Sequence, residues 1–95
     1  MVVPRDITSP NNARATVGST FSFAVTTTGN PVPTVTEKGA LPKKLTFTDN
    51  GNGTATITGK PKMTGVYHLT IVATFGKGTG KYVASQAFTL TINSA

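Results

Sequence analysis

Apolar and polar residues alternate with a period of two along three segments of the chain, residues 20–26, 66–75 and 88–92. Alternation at this period is typical of a β-strand with one buried face and one solvated face. The positions that share the apolar face of each segment are Phe21, Phe23 and Val25, then Tyr67, Leu69, Ile71 and Ala73, and finally Phe88, Leu90 and Ile92. We therefore predict three half-buried strands whose apolar faces form a common core.

Turn-forming residues separate these segments from four weaker strand segments. Residues 49–53, Asp-Asn-Gly-Asn-Gly, lie between the alternating segments 45–48 and 53–58, and Asn-Gly in that setting is a strong hairpin signal. Further clusters of turn formers stand at 9–12 and 29–33. About seven strands at this spacing predict an all-β fold, an antiparallel two-sheet β-sandwich.

The length of 95 residues corresponds to a single domain, residues 1–95, in which residues 1–4 are a linker or an added start. The sequence contains no cysteine, which excludes a disulfide and a cysteine-based zinc or redox site. No apolar run approaches the ~18 residues that span a membrane. A cysteine-free sandwich points to bacterial or phage surfaces, so we expect a piece of a secreted or surface-exposed protein whose export signal and anchor lie elsewhere.

Three features of the sequence could indicate a chemical site, and each has a simpler structural explanation. His68 is the only histidine; in the alternation it points to solvent, whereas a catalytic histidine needs partners that orient it. Residues 49–53 offer oxygen ligands of the kind that calcium prefers, but only one carboxylate, and a turn is required there. An intramolecular isopeptide bond needs a buried lysine facing an asparagine, whereas the lysines lie in or beside loops and Asn93 is terminal. We predict no enzymatic activity, no metal and no cofactor.

Several segments together resemble the bacterial "putative Ig" family of tandem surface domains. They are residues 7–9 (ITS), 15–23 (ATVGSTFSF), 28–37 (TGNPVPTVTE), 39–42 (GALP), 45–55 (LTFTDNGNGTA) and 87–92 (AFTLTI). The resemblance covers nearly the whole chain and implies an immunoglobulin-like, cadherin-like repeat of exported proteins. It also implies a spacer or adhesion role beside other domains of the same polypeptide.

Residues 65–69, Gly-Val-Tyr-His-Leu, resemble the start of an immunoglobulin strand F. The resemblance implies that Tyr67 forms the tyrosine corner and that Leu69 takes the place of the second cysteine. Phe23 would then face Leu69, so that apolar packing replaces the disulfide. The tryptophan of antibody domains is missing, with Val35 as the nearest candidate, which argues against an antibody-type domain.

Nine Lys and Arg against three acids give a net charge of +6, which permits an anionic partner but is explained more simply by solubility or by docking of a neighbouring domain. Nucleic acid is not expected, because no aromatic residues are interleaved with the basic ones. In a seven-strand immunoglobulin order, the loops after strands one, three and five gather at the pole where the C-terminus leaves. These loops would place six basic residues there: Arg14, Lys38, Lys43, Lys44, Lys60 and Lys62. Lys77 and Lys81 would lie at the other pole.

These features predict a non-catalytic spacer module, monomeric in isolation, in a larger secreted or surface protein. The alternative is an adhesion module that binds a carbohydrate or an anionic polymer through its loops. The basic pole would dock an acidic neighbouring domain or an anionic surface polymer, although solvated loop lysines explain the same residues. Exposed aromatic residues bind carbohydrate, and only Tyr82 is expected to be available for that purpose.

Overall fold

The computed structural model describes residues 5–94 of the chain, so the predicted linker at residues 1–4 lies outside the described residues. Regular structure in the described part consists of strands and one 3₁₀ turn, Gly78–Gly80. The strands are β1 Asp6–Ile7, β2 Asn12–Thr16, β3 Phe21–Thr28, β4 Thr34–Lys38, β5 Leu45–Asp49, β6 Thr54–Gly59, β7 Gly65–Phe75 and β8 Tyr82–Asn93.

The strands form two four-stranded sheets, β1-β3-β6-β5 and β2-β8-β7-β4. Neighbouring strands are antiparallel except β2 and β8, which run parallel with Asn12 opposite Thr89 and Thr16 opposite Asn93. This is the immunoglobulin-like sandwich, in which the first and last strands of the order belong to different sheets. The predicted fold class is therefore confirmed. Two details differ, since there are eight strands instead of about seven and one strand pair is parallel.

Ser9 marks the point where the chain crosses from the first sheet to the second. Its hydroxyl oxygen accepts a hydrogen bond of 3.1 Å from the Thr26 N–H in β3, and its carbonyl oxygen accepts one of 2.8 Å from Gln86 Nε2 in β8. Ser9 is buried, and a buried polar residue must find partners within the protein. The crossing is thus tied to both sheets, and β2 follows it where the sequence predicted a loop.

The core lies between the two sheets and is built from the alternating faces that the sequence predicts. Val25, Ile71 and Leu90 are fully buried, whereas His68 on the opposite face of β7 is exposed. The rings of Phe23 and Phe88 pack with their centroids 5.2 Å apart, which joins β3 of one sheet to β8 of the other. Burial of these side chains is the main contribution that stabilises a cysteine-free sandwich of this size.

The predicted hairpin at residues 49–53 is confirmed, because β5 and β6 pair antiparallel on either side of it. Asp49 Oδ1 accepts a hydrogen bond of 3.0 Å from the Gly51 N–H, which stabilises the turn. Asp49 Oδ2 accepts a longer one of 3.2 Å from the Val35 N–H of β4. The carboxylate therefore links the hairpin of one sheet to an edge strand of the other, a role that the calcium-loop interpretation would not require.

The loops gather at two opposite poles of an elongated body that measures 46 × 19 × 19 Å. The C-terminal pole carries loops 17–20, 39–44 and 60–64 together with Ser94, which follows β8. The N-terminal pole carries loops 29–33, 50–53 and 76–81 together with Arg5, which precedes β1. The chain consequently enters at one pole and leaves at the other.

Candidate interaction surface at the C-terminal pole

Four lysines lie in the loops of the C-terminal pole: Lys43, Lys44, Lys60 and Lys62. All four side chains are exposed. The other two residues of the predicted basic pole lie elsewhere. The sequence predicts Arg14 in a loop, but it belongs to β2, opposite Thr91, because a separate strand follows the sheet crossing and pairs with β8. Lys38 was also assigned to a loop, but it is the last residue of β4, opposite Thr70 in the middle of β7.

Lys44 and Lys60 flank a very close approach of β5 and β6. Leu45 pairs with Gly59 in an antiparallel register. Lys44, which precedes Leu45, and Lys60, which follows Gly59, therefore lie at the same end of the pair. A Cβ atom built on Gly59 would come within 1.9 Å of the Lys44 carbonyl oxygen, and Lys44 itself has a positive φ of 72°. Only glycine fits at position 59, and the register fixes the backbones of Lys44 and Lys60 at the same end of this strand pair.

Two adjoining surface hollows lie among these loops and share Met63. The first has a volume of about 200 Å³ and is lined by Leu41, Pro42, Lys43, Met63 and Tyr67. The second has a volume of about 350 Å³ and is lined by Val17, Lys62, Met63, Thr64 and Ser94. We call them together the Met63 cleft. The Met63 side chain is 64% exposed, so an apolar group stands between two basic side chains at the pole where the chain leaves.

The walls of the Met63 cleft are held by backbone hydrogen bonds. The Val17 N–H donates to the Asn93 carbonyl oxygen, and the Gly18 N–H donates to that of Pro61, both at 2.9 Å. Pro61 itself is fully buried. Loop 60–64 is therefore anchored to loop 17–20 and to the end of β8, so the cleft is formed before any partner arrives.

Neither Asp6, Glu37 nor Asp49, the three acids of the chain, lies in the loops of the C-terminal pole. Asp6 and Asp49 stand towards the N-terminal pole, at the start of β1 and the end of β5. Glu37 shares the inward face of edge strand β4 with Val35, and burial raises the pKa of its carboxyl above the ordinary 4.5. An inward-pointing charge on an edge strand opposes pairing with another chain. The lysines of the C-terminal pole thus have no acid in their own loops.

The three structural residues named from the sequence lie on the apolar faces of their strands. Leu69 is buried, whereas Phe23 and Tyr67 are half-buried. Phe23 packs on Phe88, the cross-strand partner of Leu69, and the fully buried residue of β3 is Val25. The Phe23–Leu69 contact and the tyrosine corner stay predictions. Tyr67 has a further position that the sequence did not indicate, because it lines the Met63 cleft.

The remaining candidate residues are dispersed. Tyr82 is 47% exposed near the N-terminal pole and its ring packs on Phe75 at 6.2 Å between centroids, so it presents one isolated aromatic edge. Within residues 5–94 there is no group of three or more His, Asp or Glu side chains that could hold a metal ion. In that same part of the chain, no helix has the length and hydropathy needed to cross a membrane.

Sequence reasoning missed the Met63 cleft. The signal was a lone apolar residue in a loop of lysine, proline and threonine, but nothing in loop 60–64 alone indicates that Val17, Leu41 and Tyr67 come beside it.

Residues 4–93 match the family model described as "Putative Ig domain". No curated protein matches the chain in sequence. A crystal structure described as a putative α-galactosidase from Bacteroides fragilis contains a similar fold, with a TM-score of 0.70 and 23% identity. The match covers 97% of this chain but only 18% of that one.

Solved structures of titin and Dlar contain a similar fold. A chimeric titin Z1Z2 structure carrying a decorin peptide matches with a TM-score of 0.67 and 20% identity over 100% of both chains. The tandem Ig repeats of Dlar match with a TM-score of 0.61 and 23% identity, over 95% of this chain and 46% of that one. At these identities the likeness concerns the fold alone.

Proposed function

The chain belongs to the putative Ig domain family, and from this premise we propose that it is a non-catalytic spacer module of a larger secreted or surface-exposed protein. The observation that carries the proposal is the position of the two chain ends. β1 begins beside Thr28 at the N-terminal pole, and β8 ends beside Thr16 at the C-terminal pole. A module of this kind separates its neighbours by the long dimension of the body, 46 Å.

The parallel pair β2–β8 supports the same role. A pull on the two chain ends draws β2 towards the N-terminal pole and β8 towards the C-terminal pole. The five residue pairs between them are then loaded together along the strands, instead of opening one after another. Such a module holds its length under tension until many hydrogen bonds break at once.

Single-molecule stretching between the two ends tests the spacer proposal. The folded module should keep its length up to a sharp unfolding event. That event should then add about 280 Å, because 95 residues at ~3.4 Å each reach far beyond the folded 46 Å. Gradual extension at low force would contradict a spacer role.

Two proline variants provide a matched comparison for β2. The Thr89 N–H donates to the Asn11 carbonyl oxygen, and the Val17 N–H donates to the Asn93 carbonyl oxygen. The backbone N–H and C=O groups of the odd-numbered residues of β2 therefore point towards β8. Ala13→Pro should remove a hydrogen bond of the loaded pair and lower the unfolding force. Arg14→Pro removes an N–H that points away from β8, so it should lower the unfolding force much less. Equal forces for both variants would show that β2–β8 does not carry the load.

Adhesion is the second candidate function, and the lysines beside the Met63 cleft favour it. A carbohydrate or anionic-polymer ligand should then be retained on a glycan array at low salt and released at moderate salt. Retention that does not change when Lys43 and Lys62 are replaced would place the contact elsewhere and contradict this function.

A further inference from the structure

We propose that the Met63 cleft is the docking site of the next domain in the same polypeptide, and that the surface of that domain which enters the cleft presents acidic and apolar side chains. The inference rests on the proposed function as a module within a longer chain. It goes further in naming the chemistry of the neighbour and in excluding a second copy of this domain as that neighbour.

The apolar part of the docking site is preformed and accessible. Met63 projects between the two hollows, and Leu41, Tyr67 and Val17 supply the half-buried apolar walls around it. Methionine is flexible and polarizable, so it packs against apolar groups of different shapes. Pro61 and the bonds to loop 17–20 fix the backbone, so that a partner does not have to order these loops.

The positive charge around the Met63 cleft favours an acidic partner. Lys43 lines one hollow and Lys62 the other, while Lys44 and Lys60 lie in loops of the same pole. No acid of the chain lies in these loops. A partner that carries carboxylates would relieve the repulsion among the four ammonium groups, and a basic partner would increase it.

A second copy of this domain does not have the required charge. Its N-terminal pole would bring Arg5, Lys77 and Lys81 towards the four lysines. The two acids near that pole, Asp6 and Asp49, do not balance these three basic residues, and both already accept hydrogen bonds from backbone N–H groups. The neighbour at the Met63 cleft is therefore a different domain, or a repeat whose N-terminal pole has become acidic.

The position of the chain end makes a weak contact sufficient. Ser94, the last residue that the structure describes, lines the second hollow. A domain joined by a short linker meets the cleft at an effective concentration of about a millimolar or more. Even a contact with millimolar affinity would then be occupied for much of the time and would set the angle between the two domains.

The test uses the 95-residue chain, isotopically labelled for NMR, and two short peptides. One peptide alternates glutamate with leucine and phenylalanine, and the other has lysine in place of each glutamate. The glutamate peptide should shift the Met63 methyl and the Thr64 and Ser94 amides, with an affinity that falls roughly tenfold from low to moderate salt. The lysine peptide should shift none of them.

Variants separate charge from apolar contact. Met63→Ser should abolish binding of the glutamate peptide without changing the charge, and Lys43→Glu with Lys62→Glu, which makes the summed charge of the four positions zero, should remove the preference for the glutamate peptide. These three side chains are exposed, so the fold should survive, which an unchanged spectrum away from the pole will verify. Lys77→Glu with Lys81→Glu is the matched control at the other pole and should leave binding unchanged.

Four results would overturn the proposal: no shift with either peptide, equal shifts with both, shifts centred on the N-terminal pole, or equal affinity for polyglutamate, which lacks apolar side chains. The last result would mean a surface for anionic polymers. Failure of the spacer function appears in the stretching experiment and not in this titration, so the two can fail separately.

Discussion

Replacing Gly59 by alanine should destabilise the protein far more than an ordinary glycine substitution. Gly59 has a φ of +146°, which L-residues rarely adopt, and an added Cβ would stand 1.9 Å from the Lys44 carbonyl oxygen and 3.0 Å from Leu45 Cα. Gly59 pairs with Phe21 on one side and Leu45 on the other, so neither neighbouring strand can move away freely. The close approach of β5 and β6 at Leu45 and Gly59 would be lost.

The magnitude follows from two contributions. Strain at a φ of this kind costs about 1–3 kcal/mol, and forcing an extra group into a packed site costs about 1–3 kcal/mol more. We expect a loss of about 3–5 kcal/mol in the free energy of unfolding. For a domain of this size, that loss lowers the Tm by at least ~12 °C.

Gly18→Ala is the matched control, because Gly18 has a φ of +82° but no atom within 4 Å of the added Cβ. It should show the backbone strain alone, about 1–2 kcal/mol. Both free energies can be measured by urea denaturation followed by far-ultraviolet circular dichroism. Equal losses for the two variants, or a loss below about 1 kcal/mol for Gly59→Ala, would refute the close approach of the two strands.

Three further predictions concern the core, the hairpin and the edge of the sandwich. Phe88→Ala should cost about 3–5 kcal/mol, whereas Met63→Ala should change the stability by no more than about 0.5 kcal/mol, because the first side chain is fully buried and the second is exposed; thermal melts will compare them. Asp49→Ala should cost about 1–3 kcal/mol and accelerate hydrogen exchange at the Val35 amide, which loses its acceptor; unchanged exchange would contradict the link between the sheets. Burial raises the pKa of Glu37, so its contribution favours folding below pH 4.5 and is lost as the pH rises through the raised value. The wild type should therefore lose stability relative to Glu37→Gln between pH 4 and pH 8 in urea titrations, and parallel curves would contradict a raised pKa.

Alternation along the sequence was sufficient to assign the buried faces of the main strands. The apolar positions of 66–75 and 88–92 are the buried positions of β7 and β8, and the turn at 49–53 joins β5 to β6. These features are local, because side chains of a strand point alternately to its two sides and a turn depends on a few residues.

The basic pole was predicted only in part. Lys43, Lys44, Lys60 and Lys62 lie where the strand order places them, because loops follow from the order of the strands. Arg14 does not, since the turn formers at residues 9–12 hide a strand that begins at Asn12 and pairs with β8. The two bonds of Ser9 that fix this crossing involve Thr26 and Gln86, which lie 17 and 77 residues away in the chain.

The sequence by itself therefore determined the class of fold, the inward faces of its strands, the hairpin and the excess of positive charge. Only the tertiary structure decided that β2 forms and joins the second sheet, the role of Asp49 between the sheets, and the Met63 cleft. The cleft requires Val17, Leu41, Met63 and Tyr67 to meet, and they come from separate segments of the chain. Local preferences act over a few residues, whereas a surface hollow is formed by loops that meet only when both sheets have packed and the register of every strand is fixed.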